Sequence, residues 1–190
     1  MIVLAICLSV FLSAPTAAAW TELEVGLHLG EFDASQKSKV GDSKVRILRI
    51  DPKHFELRLV SAEAAKDSKN KTAKQWAAAN DLVAAINASM FQTDQKTSVA
   101  LMLSGVFVNN SRLTKDNSVL AFDAKTTDAP AVQIIDRVCQ DFDTLRKQYD
   151  SLIQNIRMVS CHGKNVWAQQ SHRWSIAAVG VTAKRSYVIS

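Results

Sequence analysis

The chain carries none of the short signatures that announce a chemistry. It has no G-x-S-x-G elbow, no Walker loop, no dinucleotide fingerprint and no H-E-x-x-H, which leaves the enzyme classes built on those motifs without support. Its four histidines (28, 54, 162 and 172) form no metal-ligand cluster and its cysteine spacing matches no zinc pattern, so no metal and no cofactor is expected. The apolar run at 2–12 is too short to span a bilayer. Past Trp20 there is no repeat, no Pro/Ser-rich linker and no low-complexity tract, and one domain over 20–190 is the simplest organisation. An RNA-binding aromatic signature and a zinc finger are also absent, so nucleic acid is not an expected partner.

What is present starts with a leader. Residues 1–19, "MIVLAICLSVFLSAPTAAA", hold no charged side chain and end in a small-residue Ala17-Ala18-Ala19 tail. This is the shape of a secretory signal peptide cleaved before Trp20, although the usual basic residue near the start is missing. Cys7 lies inside the apolar run and not at the cleavage point, so no lipid anchor is expected after cleavage. The expected location is periplasmic or secreted. Cleavage would leave Cys139 and Cys161, which pair as a disulfide in an oxidising compartment or remain as two buried thiols.

The net charge is +5 and the sequence pI about 9.2. Eleven of the 23 Lys and Arg lie between Lys37 and Lys74, against five acids. They alternate with apolar residues, as on the solvated face of a sheet; a general attraction for anionic ligands is the second reading.

Periodicity predicts strands at 44–51 and 54–61, joined by a turn at Asp51-Pro52-Lys53, with Phe55, Leu57 and Leu59 on the buried face of the second. Thr72 and Gln75 have capping-box spacing and open a helix that Asn80 is expected to close. Strands follow at "LVAAINA", 99–110, 118–123 and 131–136. Leu145, Tyr149, Leu152, Ile153 and Ile156 recur at helical spacing and predict an amphipathic helix from Asp143. "RMVSCH" and "RWSIAAVGV" read as strands, and "VGVTAKRSYVIS" as strand, turn, strand. The fold class expected is α+β, a largely antiparallel sheet with a few packed helices.

Within this frame "AAINASMFQ" (84–92) places Asn87 where an apolar run gives way to small residues. It is either a satisfied structural amide or a polar group aimed into a pocket. Several segments in order, "VRILRIDP", "TAKQWAAANDLVAAINASMF", the glycine of "LSGVFVNN", "IRMVSCHGKNVW" and "HRWSIAAVGV", resemble the phosphodiester glycosidase domain family over about 43–190. This is the family of the enzyme that uncovers mannose 6-phosphate, and the bacterial exported branch is the most similar. The resemblance implies an α+β domain that cleaves a sugar from a sugar 1-phosphodiester. It also implies a longer domain, so further sequence beyond Ser190 is expected.

By that resemblance Asn87 falls at the family's asparagine after an apolar strand. Arg173 and Gly180 fall in its arginine–x–x–x–small–x–x–glycine segment, and "CHGKNVW" falls at its glycine-containing loop. Arg173 is the expected phosphate ligand, because a guanidinium fork matches two phosphodiester oxygens. Asn87 can both donate and accept toward sugar or phosphoryl oxygens. His162 is the expected proton donor to the leaving phosphate, and Asn165 and Trp167 are expected to line a sugar site. Asp94, Asp116 and Asp123 are the carboxylates near these segments, with Asp123 the catalytic candidate. Each also has an ordinary structural role open to it. Thr182 and Lys184 or Arg185 stand where the family usually has Asp and Gly. The expected partner is a sugar phosphodiester or an anionic glycan. A non-catalytic glycan-binding domain and an inactive truncated member are the alternatives.

Overall fold

The protein is described by a computed structural model covering residues 20–39, 41–65, 69–168, 171, 176–182 and 186–190. The leader and Arg173 lie outside the described residues. β1 (Trp20–Glu24), β2 (Leu27–Asp33) and β3 (Lys44–Ile50) run as a meander. Gly26 turns β1 into β2 with φ +83°, and a Cβ there would lie 2.8 Å from His54 Cδ2, so both conformation and space favour glycine. β9 (Val179–Val181) and β10 (Tyr187–Ile189) complete this sheet, in the order β1-β2-β3-β10-β9. The second sheet, β5-β4-β8-β6-β7, uses β4 (Met102–Ser104), β5 (Phe107–Asn110), β6 (Ser118–Ala124), β7 (Val132–Asp136) and β8 (Tyr149–Asn155). Every strand pair is antiparallel.

The two sheets meet through one apolar cluster. Leu27, Ile50 and Tyr187 come from the first sheet, and Met102, Phe122, Val132 and Ile153 from the second. Burial pushes the Tyr187 phenol up to about 12, so it stays neutral in this layer. A second cluster covers the other face of the second sheet, where Val119, Ala121, Ile135 and Leu152 pack with Phe142 of the short helix α2 (Phe142–Leu145). The second sheet is therefore dry on both faces.

That two-sided burial explains the largest departure from the sequence reading. No long helix follows Asp143. A single α turn and a 3-10 turn at Arg146–Gln148 lead directly into β8, the middle strand of the second sheet. Residues 149 and 151–154 are buried, and a strand covered on both faces is an apolar run that periodicity cannot tell from a helix. The fold is accordingly mainly β, with two short helices, and fits the α+β class only loosely.

Other expectations are met more closely. β3, β6 and β7 lie within the strands expected at 44–51, 118–123 and 131–136, give or take a residue, and the 99–110 segment is a β4–β5 hairpin. α1 (Ala73–Asn80) begins with the full Thr72–Gln75 capping box; its end is closed by Asp81, which adopts the left-handed conformation in place of Asn80. The segments at 54–61, 82–88 and "RMVSCH" form no strand, although Phe55, Leu57 and Leu59 do pack on the inter-sheet core. On β3 the basic side chains meet opposite charges directly across the ladder: Lys44 binds Asp33 at 2.6 Å and Arg46 binds Glu31 at 2.8 Å. Such exposed pairs contribute little to stability, because solvent screens them. They belong to a solvated face.

Because Ile135 is fully buried in the twice-covered sheet, Ile135→Ala should cost about 3 kcal/mol in urea unfolding. Val45→Ala, on the exposed face of β3, should cost less than about 0.5 kcal/mol.

Candidate functional site

The loops of interest gather at one end of the second sheet. Ser118 of β6 pairs with Asn155 on one side and Asp136 on the other. These three residues form a row roughly 10 Å wide. The Asn155 amide donates to the Ala88 carbonyl at 3.3 Å, which ties the Asn87 segment to this end. Asp136 ties down the opposite loop.

Asp136 is the most heavily bonded carboxylate described. Its oxygens accept from the Val138 N–H at 3.0 Å, from the Cys161 N–H at 3.0 Å and from Arg157 Nη1 at 2.8 Å on both oxygens. The Asp136 and Arg157 side chains are only 6% and 19% exposed. Burial pushes the Asp136 carboxyl up, but the two backbone donors and the guanidinium together outweigh it and hold it below the usual carboxylate range. Cys139, in the turn after β7, is disulfide-bonded to Cys161, so the free-thiol alternative falls away.

Cys161 stands near the tip of a tight loop. Val159 bridges to Asn165, Ser160 N–H donates to the Lys164 carbonyl at 2.9 Å, and Gly163 turns the chain with φ +71°. His162 sits at this tip, exposed, one residue from the disulfide. Asn165 Oδ1 accepts from the Trp167 N–H at 2.9 Å, which fixes where the half-buried indole leaves the loop. Asp136, Cys139 and Cys161 are near enough for a three-ligand cluster, but both sulfurs are spent on each other and the carboxylate on Arg157. As they stand, these groups do not fit a metal.

A third loop, 114–116, is held from below. Gln154, fully buried, donates to the Asp116 carbonyl at 2.5 Å and accepts from the Thr114 N–H at 3.0 Å. Arg137 Nη1 donates to the Thr114 and Asp116 carbonyls at 2.9 Å each. Asp116 itself accepts from Thr114 Oγ1 at 2.8 Å.

The candidate residues therefore divide. Asn87, His162, Asn165, Trp167 and Asp116 belong to loops at this end of the sheet. Asp123 does not: it lies five residues from Ser118 along β6, roughly 16 Å away. There it adopts a left-handed backbone conformation, φ +58°, with the β6–β8 register unbroken on either side, and accepts from the Ser151 hydroxyl. His162 and Asp123 are not brought together. Asp94 closes a local turn, accepting from Thr97 Oγ1 and from the Lys96 and Thr97 amides. Asn87 is exposed and follows no strand; it lines a cavity between the sheets of about 700 Å³. The expectation of a buried amide at a strand end is thus replaced by an exposed one at a cavity margin.

The sequence reading missed Asp136, Arg157, Arg137 and Gln154. Their signal was faint: an acid closing the apolar run "IID", and a basic residue just past each of β7 and β8.

Replacing Asp136 by Asn should cost about 2–4 kcal/mol, because Arg157 loses its counter-charge in a mostly buried setting. A carboxyl held low in the folded state stabilises fully above its ordinary pKa, and that contribution is lost as pH falls through the folded value. Urea unfolding between pH 7 and pH 2 should show a smaller acid loss in Asp136→Asn than in the parent chain, since Asp42, Asp94 and Asp141 are also held low and remain.

Among the described residues no helix is long and apolar enough to cross a membrane. No curated protein and no solved structure matches the chain. The family model described as phosphodiester glycosidase matches residues 80–189, from the last residue of α1 through β10 and more than half of the 190 residues. The chain belongs to the phosphodiester glycosidase family.

Proposed function

We propose that this chain is an exported hydrolase that removes a sugar from a sugar 1-phosphodiester on a glycan or cell-surface polymer. The observation that carries this reading is the family match, which covers every loop at the Asp136 end of the second sheet. The Cys139–Cys161 disulfide fits an oxidising compartment, consistent with a cleaved leader.

In this reading Arg173 holds the phosphodiester as a bidentate fork. His162, exposed on a loop tethered by the disulfide and by Asp136, donates a proton to the departing phosphate oxygen as the bond to the anomeric carbon breaks. Asn87 binds a sugar or phosphoryl oxygen. Trp167 offers an apolar ring face to the sugar, and Asn165 is assigned to the same sugar site. Asp116, on the loop held by Gln154 and Arg137, is the carboxylate we assign to activating water. Asp123 is better read as a strand residue that orients Ser151. A purely glycan-binding role draws less support, since the β3 cations Lys44 and Arg46 are already matched by Asp33, Glu31 and Asp42.

Release of reducing sugar from a sugar 1-phosphodiester by the purified chain is the direct test. His162→Ala should lower kcat about 100-fold and Arg173→Ala should remove turnover, whereas Asp123→Asn should leave it within about twofold. Full turnover in either of the first two variants would sink the assignments, and no turnover in the parent chain would sink the hydrolase reading.

A further inference from the structure

Leu120 on β6 and Ile189 on β10 belong to inner strands of the two sheets and pack toward the layer between them. Side chains so placed are ordinarily covered completely, yet both stay half-buried. Leu59 and Ile86, from outside the sheets, are half-buried in the same way. All four line one cavity of about 700 Å³, a size typical of functional ligand sites. Every residue that the strands contribute to its wall is apolar or aromatic, Met102, Phe122 and Ile153 among them.

The margin of this cavity belongs to the hydrolytic site. Asn87, given above to a sugar or phosphoryl oxygen, lines it, and so does Ala88, whose carbonyl accepts from the Asn155 amide at 3.3 Å. The apolar space therefore reaches the end of the second sheet where Asn155, Ser118 and Asp136 stand in a row. A sugar 1-phosphodiester has two alcohol halves. Asn165 and Trp167 account for the sugar, and Arg173, His162 and Asn87 for the phosphoryl group, which leaves the second alcohol without a place. A second sugar or a polyol in the cavity would press its hydroxyls against the apolar sheet wall, where unpaired polar groups are costly. An aliphatic chain has none to lose.

We infer that the cavity takes the second alcohol of the substrate, and that this alcohol is a long aliphatic chain. The inference rests on the hydrolase reading and narrows it: the substrate is a sugar 1-phosphate esterified to a lipid alcohol. Water adds its oxygen to the anomeric carbon, the bond from that carbon to the phosphoryl oxygen breaks, and the electron pair leaves with the alkyl phosphate. The water gives up a proton and the departing oxygen receives one, so the products are a free sugar and an alkyl phosphate monoester. The monoester keeps its chain in the cavity, which makes simple alkyl phosphates mimics of the product.

Titration calorimetry of the full chain with butyl and octyl phosphate, below micellar concentrations, tests the cavity apart from turnover. Each methylene taken out of water gives roughly a fourfold gain, so octyl phosphate should bind on the order of 100-fold more tightly than butyl phosphate. Octyltrimethylammonium carries the same chain with the wrong charge for the phosphoryl site and should bind about tenfold more weakly than octyl phosphate. Leu59→Trp adds bulk to the cavity from outside the sheets. It should weaken octyl phosphate about tenfold and leave butyl phosphate within roughly threefold. The inference is overturned if octyl phosphate binds no better than butyl phosphate, if the ammonium binds as well, or if a cooperatively melting Leu59→Trp keeps full octyl affinity. A dimer in sedimentation that excludes octyl phosphate would give the cavity to a second copy of the chain and also overturn it. The methyl and octyl esters of glucose 1-phosphate and N-acetylglucosamine 1-phosphate then separate the two readings. Equal kcat/KM for methyl and octyl esters would leave the hydrolase standing and remove the aliphatic substrate. Binding that rises with chain length, with no ester hydrolysed, would remove the hydrolase and leave the cavity assigned to the chain.

Discussion

One buried carboxylate organises the end of the second sheet where the 114–116 and 157–167 loops meet. Asp136 is the last residue of β7, and a charge at that depth is tolerable only if its oxygens are fully engaged. Arg157, Val138 and Cys161 supply that engagement. The requirement runs in both directions. Arg157 follows β8 and Cys161 opens the tip of the next loop, so satisfying the acid fixes how the chain leaves two adjacent parts of the sheet. The disulfide then locks the same pairing covalently. His162 inherits its position from these contacts and makes none of them itself.

The second sheet and the gap beneath it are a contrast in completeness. One face of the sheet is closed by Phe142 and its neighbours, and the middle strand has no solvent-facing side chain between Ser151 and Gln154. The other face meets the first sheet through seven buried residues and then falls away into the cavity lined by 56–60 and 83–87. Stability in this molecule is therefore uneven. β6, β7 and β8 form a rigid frame, and 56–60 and 83–87 rest against it with side chains engaged and no backbone hydrogen bond among the described residues.

Much of this was legible in the residues. Short apolar runs between turn residues located β3, β6 and β7, and Thr72 with Gln75 marked the start of α1 through a purely local bond pattern. Alternation also identified the buried side of 54–61 correctly while overstating its pairing. Apolar spacing encodes which side chains leave water, and it does not say whether a neighbouring strand is there to accept the backbone. The reading of 143–156 as a helix failed for a related reason, since full burial erases the period. Asp136 and Arg157 were illegible on different grounds. They are 21 residues apart, and only the antiparallel return of β8 beside β6 brings them into contact. Arg173, the residue on which the family resemblance places most weight, lies outside the described residues, so its place rests on sequence alone.

The position of β10 has a consequence for biosynthesis. It lies between β3 and β9, inside the first sheet, and pairs with a strand some 140 residues earlier in the chain. The second sheet, by contrast, draws all its strands from 102–155. As the polypeptide emerges from a ribosome or a secretion pore, the second sheet can close as a unit while the β1–β3 meander waits with one edge open. That open edge is a template for wrong pairing until the β9–β10 hairpin arrives. The molecule thus has an interval, set by the pace of emergence, in which its own first sheet is the segment most in need of a chaperone.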